Sequence, residues 1–377
     1  MNTTLAVIGV SWLTGRWWRE WSRHQSFLDQ IPLKIHVNGT RGKSTVTRLI
    51  AAGLRQASLP TVAKTTGSAA RLIYPDGSET SWPRRGRPNI NEQLAVVKTA
   101  CSLGARALVL ECMALHPEIQ WTAERIFPAQ MAVITNVRPD HTDVFPSLEC
   151  YAQALALTIP RNGWVVTTPG PFVPLFEKRA ASRGSQVKVV EPADPENWGE
   201  LELNHHPENL ALARAVLQLA GVPPEIAKAG MAQATPDPGA FTICRRRGPT
   251  GNNYLANAFA ANDPISTGEL LQRLFPLPAG LTPVVLYNHR PDRLQRARDF
   301  YPILAQLIQD GIDVYSIGLR RPPFPGITHF GCLKPEVLLT KLGTGPFLII
   351  GIGNIDGMGH KLSEYFTIGG TQVWKLP

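Results

Sequence analysis

Acidic residues are in short supply in this 377-residue chain: 29 Asp and Glu stand against 38 Lys and Arg, a formal charge of +9. That balance excludes an acidic, solvating polypeptide and suits contact with a polyanion, whether nucleic acid, anionic lipid or an acidic polymer. No nucleic-acid-binding module is recognisable, so the last two fit better and no nucleic-acid partner is expected. Cysteine is scarce too. The five present (Cys101, Cys112, Cys150, Cys244, Cys332) are scattered and never form Cys-x-x-Cys. That argues against a zinc knuckle or disulfide framework and points to a reducing compartment. No apolar run reaches the ~20 residues that cross a bilayer. Internal repeats and low-complexity tracts are also lacking.

What is present begins with an apolar stretch, Leu5–Leu13, followed by Arg16, Trp17, Trp18, Arg19, Trp21 and Arg23. Four of the nine tryptophans lie between residues 12 and 21. Indole rings and snorkelling arginines favour the headgroup level, so residues 1–30 read as an amphipathic interfacial or docking segment. A Trp-rich helix packed on the protein or on a partner subunit fits equally well. A signal peptide would put its positive charge before the apolar stretch.

With 44% apolar residues the chain can bury two cores, and its length favours two domains. From residue 31 apolar strands alternate with helical patterns, as in a mostly parallel, helix-covered sheet. Strands are expected at Ile35–Val37, Ala107–Leu110, Met131–Val137 and Trp164–Thr167, with a helix at Leu210–Leu219. The knot Thr235-Pro-Asp-Pro-Gly239 marks the boundary between a domain at 31–238 and one at 239–377. In the second, Pro283–Tyr287, Asp313–Ile317 and Phe347–Ile350 read as strands.

The most informative segment runs from Lys34 to Thr47, Lys-Ile-His-Val-Asn-Gly-Thr-Arg-Gly-Lys-Ser-Thr-Val-Thr. An apolar strand meets a glycine loop that opens a helix. Gly39 and Gly42 allow a tight turn whose N–H groups, with those of Thr40, Arg41 and Thr45, can face a polyphosphate at the helix N-terminus. Lys43 can reach the β- and γ-phosphates of ATP, and the Ser44 hydroxyl can ligate Mg²⁺. Only Thr40 and Arg41 separate the two glycines, where the common pattern places four residues. This shortened loop resembles that of the ATP-dependent amide ligases of the Mur and folylpolyglutamate synthase superfamily.

Ligands of open α/β sheets gather at the carboxyl ends of strands. The strand Ala107–Leu110 runs into Glu111, and Val133–Val137 runs into Asp140-His141-Thr142-Asp143. A carboxylate so placed can hold Mg²⁺ directly or through water. Asn288, Arg290 and Arg293 follow another strand and suit bidentate recognition of a glutamate carboxylate. Gly351-x-Gly353-x-x-x-Gly357 does not have dinucleotide-binding spacing.

Taken in order, segments 38–47, 64–67, 88–93, 111–114, 140–144, 236–240, 259–264, 288–293 and 351–357 resemble the poly-γ-glutamate synthase ligase subunits of bacterial capsules. The resemblance implies a P-loop-type, mostly parallel sheet domain followed by a smaller Rossmann-like α/β domain, the central and C-terminal domains of a Mur ligase. It implies an ADP-forming amide ligase that joins glutamate through γ-amide bonds by way of an acyl phosphate. Ser44, Glu111 and His141 would carry magnesium, with Lys43, Glu111 and His141 as the catalytic set. Asn209 would read the adenine, Asn262 and Asp263 would touch the nucleotide, and Asn89 and Glu92 would join the substrate site. The implied partners are glutamate, its γ-linked polymer and an integral-membrane subunit, placing the chain at the cytoplasmic face of the membrane; self-association is left open. Two other readings stand beside it. One is a folate- or other amino-acid-polyglutamylating ligase, the other an NTP-driven coupling subunit of an export complex.

Overall fold

The computed structural model describes residues 2–66, 70–83, 89–139, 144–192, 205–237, 241–248, 251–261, 263–274, 280–290, 294–319 and 324–373. Internal contacts divide it into two compact units, Met1–Pro236 and Asp237–Pro377.

The first unit opens with a helix, Asn2–Asp29, longer than its apolar stretch suggests. Its strands are β1 (Leu33–Asn38), β2 (Thr61–Thr65), β3 (Arg71–Ile73), β4 (Glu79–Ser81), β5 (Ala107–Glu111), β6 (Met131–Ile134), β7 (Trp164–Thr167) and β8 (Gln186–Val189). They form one sheet in the order β4-β3-β2-β5-β1-β6-β7-β8. All pairings are parallel except the β2–β3 and β3–β4 turns at one edge. Central strands such as β1 and β5 are buried on both faces and read as continuous apolar runs, as parallel strands should. β6 ends at Ile134, three residues earlier than expected, because Thr135–Arg138 turns away to bind the glycine loop.

Helix Lys43–Gln56 lies in the middle of this unit, with Val46 to Leu54 all buried. It packs on β1, β2 and β5 and on helix Pro207–Leu219, the last extending the expected helix by a turn at its start. Gly53 and Gly230, the latter in helix Pro224–Ala232, allow the helices to touch through backbone. A Cβ on Gly230 would stand 2.7 Å from the Cα of Gly53.

The second unit contains β9 (Thr242–Gly248), β10 (Gly251–Asn257), β11 (Thr282–Asn288), β12 (Asp313–Ile317), β13 (Thr328–Gly331), β14 (Phe347–Ile352) and β15 (Thr371–Val373). Their order is β13-β12-β11-β14-β10-β9-β15. The β10–β9 and β9–β15 pairs are antiparallel and the remainder parallel. One face packs on helices Pro264–Leu274 and Leu294–Gln309, the other on Pro335–Leu342 and Met358–Ile368.

Candidate active site

Register brings three strand ends together. Val37 of β1 lies beside Glu111 of β5, and Asn38 beside Ile134 of β6. The glycine loop, Glu111 and Thr135 therefore share the carboxyl edge of one sheet, where an α/β fold places its ligands.

The loop is built for close approach. Gly39 (φ 119°) and Gly42 (φ 82°) adopt backbone angles that side chains resist. A Cβ at Gly39 would sit 2.2 Å from the Thr135 hydroxyl, and one at Gly42 2.3 Å from Asn209 Oδ1. The backbone N–H of Thr40 donates to the Asn136 carbonyl (3.0 Å), and the N–H of Arg41 to Asn136 Oδ1 (3.0 Å). Asn38 Oδ1 accepts from the Gly39 N–H at 2.8 Å. The loop is thus fixed from three sides before any ligand arrives.

Lys43 folds its ammonium back on the loop, donating to the carbonyls of Gly39 (2.7 Å) and Thr40 (3.0 Å). Its charge is held at the loop. Helix Lys43–Gln56 has no side-chain cap and no acid in its first turn, so its N-terminal donors and dipole favour an added anion. Ser44 and Thr45 lie in that turn.

Ser44 Oγ donates to Glu111 Oε2 at 2.8 Å although the residues are 67 apart in sequence. The same carboxylate oxygen accepts the Thr66 N–H at 2.6 Å, and Glu111 is only 4% exposed. Two hard oxygen donors thus meet at the helix start, beside the buried and unpartnered hydroxyls of Thr65 and Thr135. Magnesium favours such donors and takes its remaining ligands from water and phosphate, so the residues fit it. His141 lies outside the described residues, and with it the third expected ligand. Among the described residues no group of three or more His, Cys, Asp or Glu could hold a metal.

Asn209 packs against Gly42, so the expected adenine reader and the phosphate loop are neighbours. Glu92 forms an ion pair with the buried Lys64 (2.7 Å) and accepts the Asn89 N–H (3.3 Å), while Asn89 Oδ1 accepts the Asn91 N–H (2.9 Å). Both expected substrate residues thus fix the start of helix Glu92–Ser102 against β2. Cys112, next to Glu111, is no nucleophile: burial pushes its thiol up to about 12.

In the second unit, Asn262 and Arg293 lie outside the described residues. Asp263 accepts the Ser266 N–H at 2.8 Å, at the start of helix Pro264–Leu274. Asn288 is buried, and its amide nitrogen donates to the carbonyls of Asn354 (2.5 Å) and Asp356 (2.7 Å). Arg290 forms an ion pair with Asp356. The pair expected to grip a substrate carboxylate also ties the Gly353–Gly357 turn to β11. The contact partners Thr66, Thr135, Asn136 and Lys64 escaped sequence reasoning because they act through backbone groups or long-range pairs. The segment Lys-Thr-Thr-Gly at 64–67 was their one visible signal.

Sheet order, shortened loop and Ser44–Glu111 contact define a Mur-type ligase domain, and residues 37–189 match the Mur ligase middle domain. Residues 245–368 match the poly-gamma-glutamate synthase CapB C-terminal domain. The chain is 36% identical over 361 residues to the capsule biosynthesis protein CapB of Bacillus anthracis, covering 90% of this chain and 78% of that protein. It is 34% identical over 362 residues to the PGA synthase CapB of Bacillus subtilis, covering 91% and 92%. The chain belongs to the poly-γ-glutamate synthase CapB family. Among solved structures, a bifunctional folylpolyglutamate synthase/dihydrofolate synthase from Yersinia pestis, complexed with AMPPNP and Mn ion, shares the fold. Its TM-score is 0.68 at 19% identity, over 91% of each chain. Folylpolyglutamate synthase from Thermotoga maritima gives 0.62 at 15% identity, over 95% of each.

Proposed function

We propose that this protein is an ATP-dependent, ADP-forming amide ligase that polymerises glutamate through γ-amide bonds. The observation that carries the reading is the Ser44–Glu111 contact beneath an uncapped, glycine-lined helix start, in a chain of the CapB family. A bound divalent cation would supply charge neutralisation of the phosphates, held by Ser44 and Glu111. The N–H groups at the uncapped helix start and Lys43 then orient the terminal phosphate for transfer to a carboxylate oxygen, releasing ADP and leaving an acyl phosphate. An incoming glutamate amine attacks the acyl carbon, the C–O bond to phosphate breaks, and the amine proton is lost to base as the amide forms.

The outer part of the N-terminal helix supports membrane-side docking. Trp12, Leu13, Trp17 and Trp18 are 62%, 59%, 64% and 65% exposed. Further along, His24 Nε2 lies 2.6 Å from the Ile126 carbonyl oxygen and Leu28 is buried, so this end belongs to the core. No helix among the described residues is long and apolar enough to cross a membrane. An interfacial or subunit-docking role at the cytoplasmic face fits a helix that is half core and half exposed indole.

The test is to supply ATP, Mg²⁺ and glutamate, with membranes that carry the partner subunit. Glutamate-dependent ADP release, with carboxylate oxygen passing into inorganic phosphate, is expected. AMP and pyrophosphate in stoichiometric yield would overturn the reading. ATP hydrolysis indifferent to glutamate would favour a coupling subunit instead.

A further inference from the structure

The second unit has a cleft of about 610 Å³ lined by Arg245, Arg247, Gly251, Asn252, Gly369, Gly370 and Thr371. It lies at the antiparallel edge of the sheet, where β10, β9 and β15 meet. β9 carries three arginines in a row, and strand alternation sends the middle one to the opposite face from its neighbours. Arg246 is engaged there: its guanidinium lies 3.7 Å from the Tyr365 ring centroid and donates to the Tyr365 carbonyl (2.5 Å). Arg245 and Arg247 emerge on the other face, both exposed. None of the cleft-lining residues is acidic. Residues 249–250 and 374–377, which flank the cleft in sequence, carry no acid either.

The presentation is rigid. Arg245 pairs with Tyr254 on one side and Thr371 on the other, and Arg247 pairs with Asn252. Gly370 makes the edge possible, since a Cβ there would stand 2.4 Å from the Arg245 carbonyl oxygen. Two arginines two residues apart on a strand leave the same face from backbone positions ~7 Å apart. That is of the order of the carboxylate repeat in an extended γ-linked glutamate chain.

Other anions fit less well. Among the described residues no aromatic ring lines the cleft to stack a base, as single-stranded nucleic acid would need. The cleft also sits at the start of β10, about 20 Å along the strand from its carboxyl end, whereas nucleotides bind beyond carboxyl ends. What remains is a donor-rich groove of guanidinium, amide and hydroxyl groups, with no carboxylate among its described lining residues.

We infer that this Arg245–Arg247 cleft is a second, non-catalytic binding site for the polyanionic γ-glutamate polymer. It retains the product between additions and so sets its length. The inference rests on the polymerase reading above, but its test separates the two. Fluorescence anisotropy with labelled poly-γ-glutamate and the full chain should show binding that weakens as salt rises. Arg245→Ser/Arg247→Ser should raise the dissociation constant roughly tenfold, and Arg247→Lys should keep most of the affinity. In synthase-bearing membranes the double variant should make shorter polymer at an unchanged initial rate of ADP release. Unchanged polymer affinity in the double variant overturns the inference. So does a raised KM for ATP as the variant's main effect, or equal affinity for single-stranded DNA of matched charge. A wild-type protein that binds the polymer through these arginines yet makes none would leave the cleft standing and sink the polymerase reading.

Discussion

Two loops in this chain follow apolar parallel strands, and they use their polar groups in opposite ways. After β1, the loop at 39–42 turns its own backbone inward and leaves the helix start uncapped, while Asn136 and Asn38 brace it from outside. After β11, Asn288 donates its amide hydrogens to the carbonyls of Asn354 and Asp356, and Arg290 pairs with the Asp356 carboxylate. The first arrangement is a cradle whose loop N–H groups are already braced and whose uncapped helix start is left for an anion. The second is a staple that leaves the buried Oδ1 of Asn288 without a hydrogen-bond partner among the described residues. What marks the first loop as a site is therefore the uncapped helix start it opens into, not spare donors on its braced residues.

The sharpest way to break the contrast is at Lys43. Lys43→Ala should lower ATP turnover by on the order of 10²–10³-fold, while thermal stability changes by only about 1 kcal/mol, the two loop carbonyls being its ties. Near-normal turnover would mean the loop holds no phosphate. Gly42→Ala tests the cradle itself. The φ of 82° costs ~1–2 kcal/mol for a side chain, and the new methyl meets Asn209. Nucleotide affinity should fall more than tenfold by calorimetry, and adding Asn209→Ala should recover stability but not full affinity.

The staple should respond in the opposite sense. Asn288→Ala strips the donors from two carbonyls and should cost about 2–4 kcal/mol in urea unfolding of the second unit, with the KM for glutamate in the folded fraction unmoved. A raised KM without lost stability would restore Asn288 to the substrate site. Arg290→Ala breaks a half-exposed ion pair and should cost no more than ~1 kcal/mol.

A smaller effect belongs to His36. It is buried without a hydrogen-bond partner and edge-on to Phe127, and burial holds its pKa down at about 4 against an ordinary 6.5. The neutral ring is the folded form, and the unfolded chain takes up the proton more readily. Stability from this group is therefore complete above pH 6.5 and drains away as pH falls from 6.5 toward 4, by about 3 kcal/mol at most. His36→Leu should flatten that part of the stability–pH curve; an unchanged slope would assign the acid sensitivity elsewhere. In the N-terminal helix, proposed above to dock at a membrane or its subunit, removing residues 1–20 should abolish sedimentation with membranes and leave nucleotide binding intact. The cut falls before His24 because that residue and Leu28 are anchored in the core.

How legible this was in sequence depends on range. Glycine spacing, a following Lys-Ser-Thr and buried apolar runs exposed β1, β5, β7 and the phosphate loop, because their signals are contiguous. β2 was hidden by Lys64, whose buried charge is explained by Glu92, 28 residues away, and by the Trp82 ring it faces. β9 reads as a solvated charge run, yet Ile243 and Cys244 anchor it and Arg246 is folded onto Tyr365. The tie made by Asn288 and Arg290 was hidden because the turn they bind lies over 60 residues downstream.

Helix Lys43–Gln56 is no peripheral flap: it is the innermost helix of its unit, locked against Gly230 and the Leu210–Leu217 face. Ligand free energy delivered at its N-terminus is therefore delivered to the whole folding unit. The protein should melt a few degrees higher with saturating nucleotide and metal, and the amides of residues 46–54 should be among its slowest to exchange with solvent. Heat resistance becomes an occupancy gauge.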